Sequence, residues 1–63
     1  MAYQLLRRND VEELTGLSRS AIYQKMQQGD FPKQIKLGER TVAWLETDVT
    51  QWIESKITAS RGN

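Results

Sequence analysis

The chain has 63 residues, a formal net charge of +1, and neither Cys nor His. This length allows one domain with a small core, and the missing residues exclude disulfides, Cys or His metal sites and Cys–His nucleophiles, so we expect no enzyme, no cofactor and no metal. No apolar run approaches the length of a membrane span, and the opening segment MAYQLLRRND lacks the apolar stretch of a signal peptide, which predicts a soluble cytoplasmic protein.

The chain is expected to begin with a short strand and a helix. The segment YQLLR, residues 3–7, predicts the strand, because its leucines precede a helix start without an intervening turn residue. Asn9 and Glu12 have the spacing of a capping box, in which each side chain satisfies a backbone N–H of the other residue. The first helix is therefore predicted over residues 10–15.

A tight turn is predicted to close this helix. Val11 and Leu14 lie three residues apart and are expected to share its buried face. Gly16 follows, and only a residue comfortable at positive φ can turn the chain within a few residues. Leu17 is expected to fill the corner behind the turn.

A second helix with one wide polar face follows. Ser18 is a good N-cap for a helix predicted over residues 19–28, which ends before Gly29. On a helical wheel Ile22 and Met26 form a narrow apolar stripe. The opposite face is polar and comprises Ser20, Tyr23, Gln24 and Gln27.

Beyond this helix the pattern of apolar residues changes from helical to alternating. Ile35 and Leu37 fall on one face, and Val42 and Trp44 continue the alternation after residues 38–40, which predicts a β-hairpin with its turn at those three residues. The register of the hairpin stays open, because its turn contains no Asn-Gly or Asp-Gly pair.

A third helix and a tail are predicted to end the chain. Thr47 is expected to cap the helix. Its apolar stripe comprises Val49, Trp52, Ile53 and Ile57. The small polar segment TASRGN, residues 58–63, is expected to be a flexible tail, which leaves residues 1–57 as the folded domain.

These elements predict a mainly α fold with a small β-hairpin, a winged helix-turn-helix of the α+β class. The charge is concentrated in its middle, since the residues from Arg19 to Arg40 carry a balance of +3 and those from Thr41 to Ile57 a balance of −2. A basic segment with an exposed helix suits double-stranded DNA, because a helix fits the major groove and its side chains must both donate and accept hydrogen bonds to distinguish base edges.

Specific side chains suit specific parts of DNA. Gln24 and Gln27 can pair with adenine, and Arg19 can donate to guanine or phosphate. Lys36 and Arg40, near the hairpin tip, can follow the adjacent backbone or enter the minor groove. The full set of candidate DNA-binding residues is Ser18, Arg19, Ser20, Tyr23, Gln24, Gln27, Lys33, Lys36 and Arg40.

Four short motifs also carry a family resemblance. "TGLSRSAIY", "GDFPK", "KLGER" and "VAW" occur in this order, followed by an acidic helix start and by Trp52 three residues after Val49. Residues 5–57 thereby resemble the AlpA-type phage regulators, which are similar to phage excisionases and to the winged-helix DNA-binding part of MerR proteins. The resemblance implies a MerR-like or excisionase-like fold and a prophage-associated transcriptional regulator of excision or integrase genes. It implies no small-molecule ligand, because the long dimerisation helix and effector domain of MerR regulators are missing.

Other interpretations stay open. The protein can be a DNA-bending excisionase, or a protein-interaction module such as a phage antirepressor, in which case the basic hairpin residues would only protect edge strands. Trp44 and Trp52 can be stacking platforms for single-stranded nucleic acid, but their apolar register favours core positions. We expect a monomer in solution, with several copies on adjacent DNA sites and no membrane partner.

Overall fold

The computed structural model describes residues 3–61, and its elements follow the predicted order. They are β1 (Leu5–Leu6), α1 (Arg8–Thr15), α2 (Arg19–Gln27), β2 (Ile35–Lys36), β3 (Val42–Leu45) and α3 (Glu46–Arg61). The predicted α+β winged helix-turn-helix fold is confirmed: α1 and α2 meet at a tight turn, the β2–β3 hairpin forms the wing, and α3 closes the domain. None of the helices within the described range is both long and apolar enough to cross a membrane.

The sheet has three antiparallel strands in the order β1-β3-β2, with β3 at its centre. Leu6 lies opposite Trp44 on one side of β3, and Lys36 lies opposite Val42 on the other side. The predicted N-terminal strand is thus confirmed, and it pairs with β3, which is distant from it in the sequence. The register that the sequence left open is also defined, since the backbone N–H groups of Leu37 and Gly38 both donate to the Thr41 carbonyl and close the wing turn.

The turn between α1 and α2 has the predicted chemistry. Gly16 adopts φ 74°, in the left-handed region, and its N–H donates to the Glu12 carbonyl at 2.8 Å. Ser18 caps α2, because its hydroxyl oxygen accepts from the Ala21 N–H at 3.2 Å. Leu17 packs partly buried against the core, as expected for the corner residue.

The start of α1 differs from the prediction. The helix begins at Arg8 rather than Asp10, and Arg7 is its N-cap residue. The Asp10 carboxylate accepts from the Arg7 backbone N–H at 3.2 Å, so this single capping contact falls two residues earlier than the Asn9–Glu12 spacing predicted.

Leu14 was predicted to be buried beside Val11, and this is wrong. Val11 is inaccessible to solvent, whereas Leu14 is 54% exposed. Helix α1 packs mainly on β1, β3 and α2, which leaves the side of the helix that carries Leu14 facing outward.

One hydrophobic core fills the space between the helices and the sheet. Its buried members are Leu6, Val11, Ile22, Phe31, Trp44 and Val49, and the partly buried residues packed against them are Leu17, Met26, Val42, Trp52 and Ile53. Trp44 is fully buried, and its indole N–H donates to the Pro32 carbonyl at 3.1 Å. Its predicted core position is therefore confirmed.

Trp52 is only partly buried, and it covers a residue that the sequence pattern did not identify. Its ring meets Phe31 edge-on with 4.9 Å between ring centroids, and its indole N–H donates to the Asp30 carbonyl. Phe31 is 6% exposed and belongs to the core. It lies outside every helix and strand, so no periodic pattern indicated its burial.

Helix α3 begins and ends differently from the prediction. It starts at Glu46, so Thr47 lies in its first turn and is not its N-cap. The Glu46 N–H donates to the Gln4 carbonyl at 2.9 Å, and this strand contact satisfies one of the free N–H groups that a cap would otherwise satisfy.

The far half of α3 extends beyond the core. Ile57 is 45% exposed, although the predicted stripe included it. The helix continues to Arg61, so residues 58–61 are helical rather than part of a flexible tail, and residues 62 and 63 lie outside the described range. No Gly or Pro interrupts the sequence between Ile57 and Arg61, which allows the helix to continue.

Candidate nucleic-acid interface

Helix α2 presents an open polar face beside the wing. Ile22, fully buried, and Met26, partly buried, fix the helix on the core through the predicted apolar stripe. The exposed residues predicted to contact DNA on this helix are Arg19, Ser20, Gln24 and Gln27. The helix therefore offers donors and acceptors to a partner without disturbing the core.

Tyr23 has a more internal position than its neighbours on the predicted polar face. Its partly buried ring meets Trp44 edge-on, with 6.5 Å between ring centroids. The guanidinium carbon of Arg19 lies 5.7 Å from the centroid of the Tyr23 ring, within the range of a cation–π contact. Tyr23 thus connects the buried Trp44 with an exposed cation and restricts where that cation points.

A concavity of about 300 Å³ lies between the start of α1, the start of α2 and the wing. We call it the arginine concavity, and its lining consists of Arg7, Arg8, Asn9, Arg19, Tyr23, Arg40 and Val42. Among the described residues 3–61, its lining contains four arginines and no acidic residue. Sequence reasoning identified Arg19, Tyr23 and Arg40 but missed Arg7, Arg8 and Asn9.

The β1–β3 pairing explains why the N-terminal arginines reach this place. Leu6 lies opposite Trp44 in an antiparallel register, so the chain beyond Leu6 runs alongside the beginning of β3. Val42, the first residue of β3, and Arg40, in the wing turn, lie at the same end of the sheet as Arg8. The one available sequence signal was the Arg-Arg doublet immediately before a helix.

Most of these arginines have no acidic partner. Arg8 is the exception: its Nε lies 3.0 Å from the Glu12 carboxylate, and one of its terminal nitrogens donates to the Asn9 side-chain oxygen at 3.3 Å. Within residues 3–61, no carboxylate lies within 4.0 Å of the side-chain nitrogens of Arg7, Arg19 or Arg40. Three of the four guanidinium groups are therefore free to bind an anion.

A second group of basic residues is partly neutralised by one carboxylate. The Asp30 carboxylate lies 3.0 Å from the Lys56 ammonium and 3.7 Å from the Lys25 ammonium, and we call these three residues the Asp30 cluster. The hydrogen bond from Lys56, together with the charges of both lysines, holds the pKa of Asp30 below its ordinary value of 3.8. Across the range that the structure describes, no group of three or more carboxylates is placed to hold a metal ion.

The remaining candidate residues divide between two places. Gln27 and Lys33 meet in a second concavity, of about 390 Å³, together with Tyr23, Met26 and Gln34. Neither concavity includes Ser18, Ser20, Gln24 or Lys36. Ser18 and Lys36 are exposed, at the start of α2 and in β2 respectively. The predicted set thus lies along the open side of α2 and the wing, and it does not converge on one pocket.

A helix-turn-helix with an exposed polar second helix, followed by a basic hairpin and a closing helix, defines the class of winged helix-turn-helix proteins. Residues 4–57 match the model of the family described as "Prophage CP4-57 regulatory protein (AlpA)", and the chain belongs to this family. The family consists of regulatory proteins rather than enzymes, and the resemblance to AlpA-type regulators is confirmed.

Two curated proteins are similar to the chain. The "Uncharacterized protein ORF88" of Enterobacteria phage P4 is 46% identical over 54 residues, which cover 86% of the chain and 61% of the phage protein. The chain thus spans less than two thirds of that relative. The "DNA-binding transcriptional activator AlpA" of Escherichia coli (strain K12) is 30% identical over 61 residues, which cover 87% of each protein.

Proposed function

We propose that the chain is a sequence-specific double-stranded DNA-binding protein that regulates transcription of prophage genes, with excision or integrase genes as its targets. The observation that carries this proposal is the exposed polar face of α2, held by the buried Ile22 and flanked by a basic wing. The name of the Escherichia coli relative, a DNA-binding transcriptional activator, supports the same function.

In this proposal α2 enters the major groove. Gln24 and Gln27 are exposed one turn apart and can each make the bidentate contact that a glutamine makes with adenine. Arg19, at the start of the helix, can reach guanine or a phosphate. Lys36 and Arg40 bring the wing to the adjacent backbone or minor groove.

A footprint on the prophage DNA around the gene, followed by titration of the footprinted duplex and a random duplex, tests this function. If the protein neutralises several phosphates, log affinity should fall linearly with log salt, with a slope of about −0.9 per phosphate contact. An antirepressor-like module that binds protein would leave no footprint and would show only a weak dependence on salt.

A matched pair of glutamine variants tests the role of α2. Gln24→Ala should weaken binding to the specific duplex by about 1–3 kcal/mol and change binding to random DNA little. Gln28→Ala, which removes an exposed glutamine just beyond the last turn of α2, should change neither. An equal loss on both duplexes with Gln24→Ala would show that α2 does not distinguish bases.

We also propose that the free protein is a monomer and that several copies bind adjacent sites, because one helix and one wing bury little surface on DNA. Sedimentation of the free protein and of the protein on the footprinted duplex measures this. A stable dimer at micromolar concentration without DNA would contradict the proposal.

A further inference from the structure

The arginine concavity has a charge distribution unlike that of the rest of the molecule. Four of the nine basic residues in the chain line it, and no acidic residue in the range 3–61 does. Because the whole chain carries a net charge of +1, the residues outside this lining carry a net charge of −3. Guanidinium groups held in one concavity repel one another, and a concave wall of one sign concentrates the field that attracts an anion.

The guanidinium groups are available for such an anion. Arg7, Arg19 and Arg40 have no carboxylate partner among residues 3–61. The side chains of Arg8 and Glu12 are 40% and 33% accessible, and the Arg8 Nε that faces the carboxylate is buried but makes no hydrogen bond, so this pair holds Arg8 weakly. Arg8 can therefore exchange the Glu12 carboxylate for a phosphate, whose oxygens fit the planar fork of a guanidinium.

The Arg19 side chain is held in place by a contact with Tyr23. The Arg19 guanidinium lies over the Tyr23 ring, and that ring is held edge-on by the fully buried Trp44. A side chain restricted in this way loses less conformational freedom when it binds, which favours a fixed binding site over a diffuse basic surface.

The position of the concavity identifies the anion. Its lining includes Arg19 at the start of α2 and Arg40 in the wing turn, so it lies between the two parts of the chain that the proposed function places on DNA. We propose that the arginine concavity binds consecutive backbone phosphates of one DNA strand, with Arg7 and Arg8 extending the DNA contact beyond α2 and the wing. This inference rests on the proposed function, and it assigns to the N-terminal arginines a role in affinity and positioning rather than in base recognition.

The double variant Arg7→Gln/Arg8→Gln tests the proposal. Two lost phosphate contacts should make the slope of log affinity against log salt shallower by about 1.8, equally for specific and random duplexes. The matched control is Lys56→Gln/Arg61→Gln, which removes two positive charges from α3, away from the concavity, and should leave the slope close to that of the wild type. Thermal unfolding of both double variants checks that each is folded.

Two further variants separate the contributions within the concavity. Arg40→Ala should weaken binding to all sequences alike and reduce the slope by about one contact. Glu12→Gln removes the carboxylate that competes for Arg8, and it should strengthen binding to both duplexes. A weaker affinity with Glu12→Gln would contradict the exchange of partners at Arg8.

The remaining outcomes are distinguishable. If the wild type binds its footprinted site but the Arg7→Gln/Arg8→Gln slope equals that of the wild type, the concavity is not a phosphate site, although the proposed function stands. A loss confined to the specific duplex would assign base recognition to these arginines and overturn the inference. If the wild type binds no duplex in a salt-dependent way, both proposals fail.

Inorganic phosphate distinguishes a backbone site from a site for a small anion. Micromolar duplex should raise the unfolding temperature of the wild type, and millimolar inorganic phosphate should not. A saturable increase with phosphate that disappears in Arg7→Gln/Arg8→Gln, without an effect of the variant on duplex binding, would assign the concavity to a free anion and overturn the inference.

Discussion

The arginine concavity and the Asp30 cluster both bring basic side chains from different elements together, but only the second contains an acid. In the Asp30 cluster one carboxylate joins Lys25 of α2 to Lys56 of α3, and the lysine charges are partly neutralised. In the arginine concavity, none of the described residues in the lining carries a carboxylate. The comparison shows that the charge of a basic residue does not by itself indicate its role. A basic residue paired with a carboxylate can connect two elements, whereas one without such a partner is available to bind an anion.

Trp44→Ala should give the largest loss of stability among these variants, because the Trp44 side chain contacts residues next to both the arginine concavity and the Asp30 cluster. The indole holds Tyr23, which lines the arginine concavity, and it donates to the Pro32 carbonyl, two residues beyond Asp30. Removing so large a buried side chain should cost about 3–5 kcal/mol, which is much of the stability of a small domain. Urea unfolding followed by circular dichroism measures the loss.

Thr50→Ala, on the exposed face of α3, is the control for this experiment and should leave stability within about 0.5 kcal/mol of the wild type. A Trp44→Ala protein with normal stability and no DNA binding would refute the core assignment and restore the stacking interpretation of this tryptophan.

Alanine substitutions at two glycines should cause a smaller loss of stability. Each glycine lies near only one of the two regions, the arginine concavity or the Asp30 cluster. Gly16, between α1 and α2, has φ 74°, and Gly29, directly before Asp30, has φ 75°. A Cβ at either position would meet no atom within 4 Å, so alanine there brings backbone strain without a clash. Each substitution should cost about 1–2 kcal/mol in thermal unfolding.

The two glycine variants should differ in DNA affinity. Gly16→Ala disturbs the turn that sets Arg8 relative to Arg19 and should weaken binding, whereas Gly29→Ala disturbs the Asp30 side and should leave affinity unchanged. Gly38→Ala, at a glycine without positive φ, is the control and should cost little stability. Equal losses of affinity in the first two variants would mean that the turn after α2 also positions the DNA-binding surface.

The smallest change in stability is expected when the Asp30 carboxylate is removed, and its size should depend on pH. Its pKa is lower in the folded protein than its ordinary value of 3.8, because the deprotonated form is stabilised by Lys56 and Lys25. The stabilisation is therefore fully present above that ordinary value and is lost as the pH falls through the lower folded pKa. The cluster is exposed, so the contribution is small at every pH.

Unfolding of the wild type and of Asp30→Asn across the acid range measures this contribution. The difference in stability between the two proteins should be constant near neutral pH and should shrink towards zero in acid. Glu54→Gln removes an exposed carboxylate from the same helix as Lys56 and controls for the change in net charge. A difference that grows in acid would contradict the direction of the pKa shift.

Local features were predictable because their causes lie within a few residues. The left-handed turn at Gly16, the cap at Ser18 and the wing turn at residues 38–40 each follow from neighbouring side chains and backbone geometry. The core position of Trp44 followed from the alternation of a strand. Errors occurred where packing decided: Leu14 and Ile57 fit apolar stripes, but Leu14 lies on the outward side of α1 and Ile57 lies on the part of α3 that extends beyond the core.

By itself, the sequence determined the order of the elements, the tight turn and the polar face of α2, since helical and strand periodicity and capping act over short separations. Only the tertiary structure decided which residues share a surface. The pairing of Leu6 with Trp44 joins two distant parts of the chain and brings Arg7 and Arg8 to Arg40. No short-range pattern encodes that pairing, because strand partners are selected by the burial and backbone hydrogen bonding of the whole sheet.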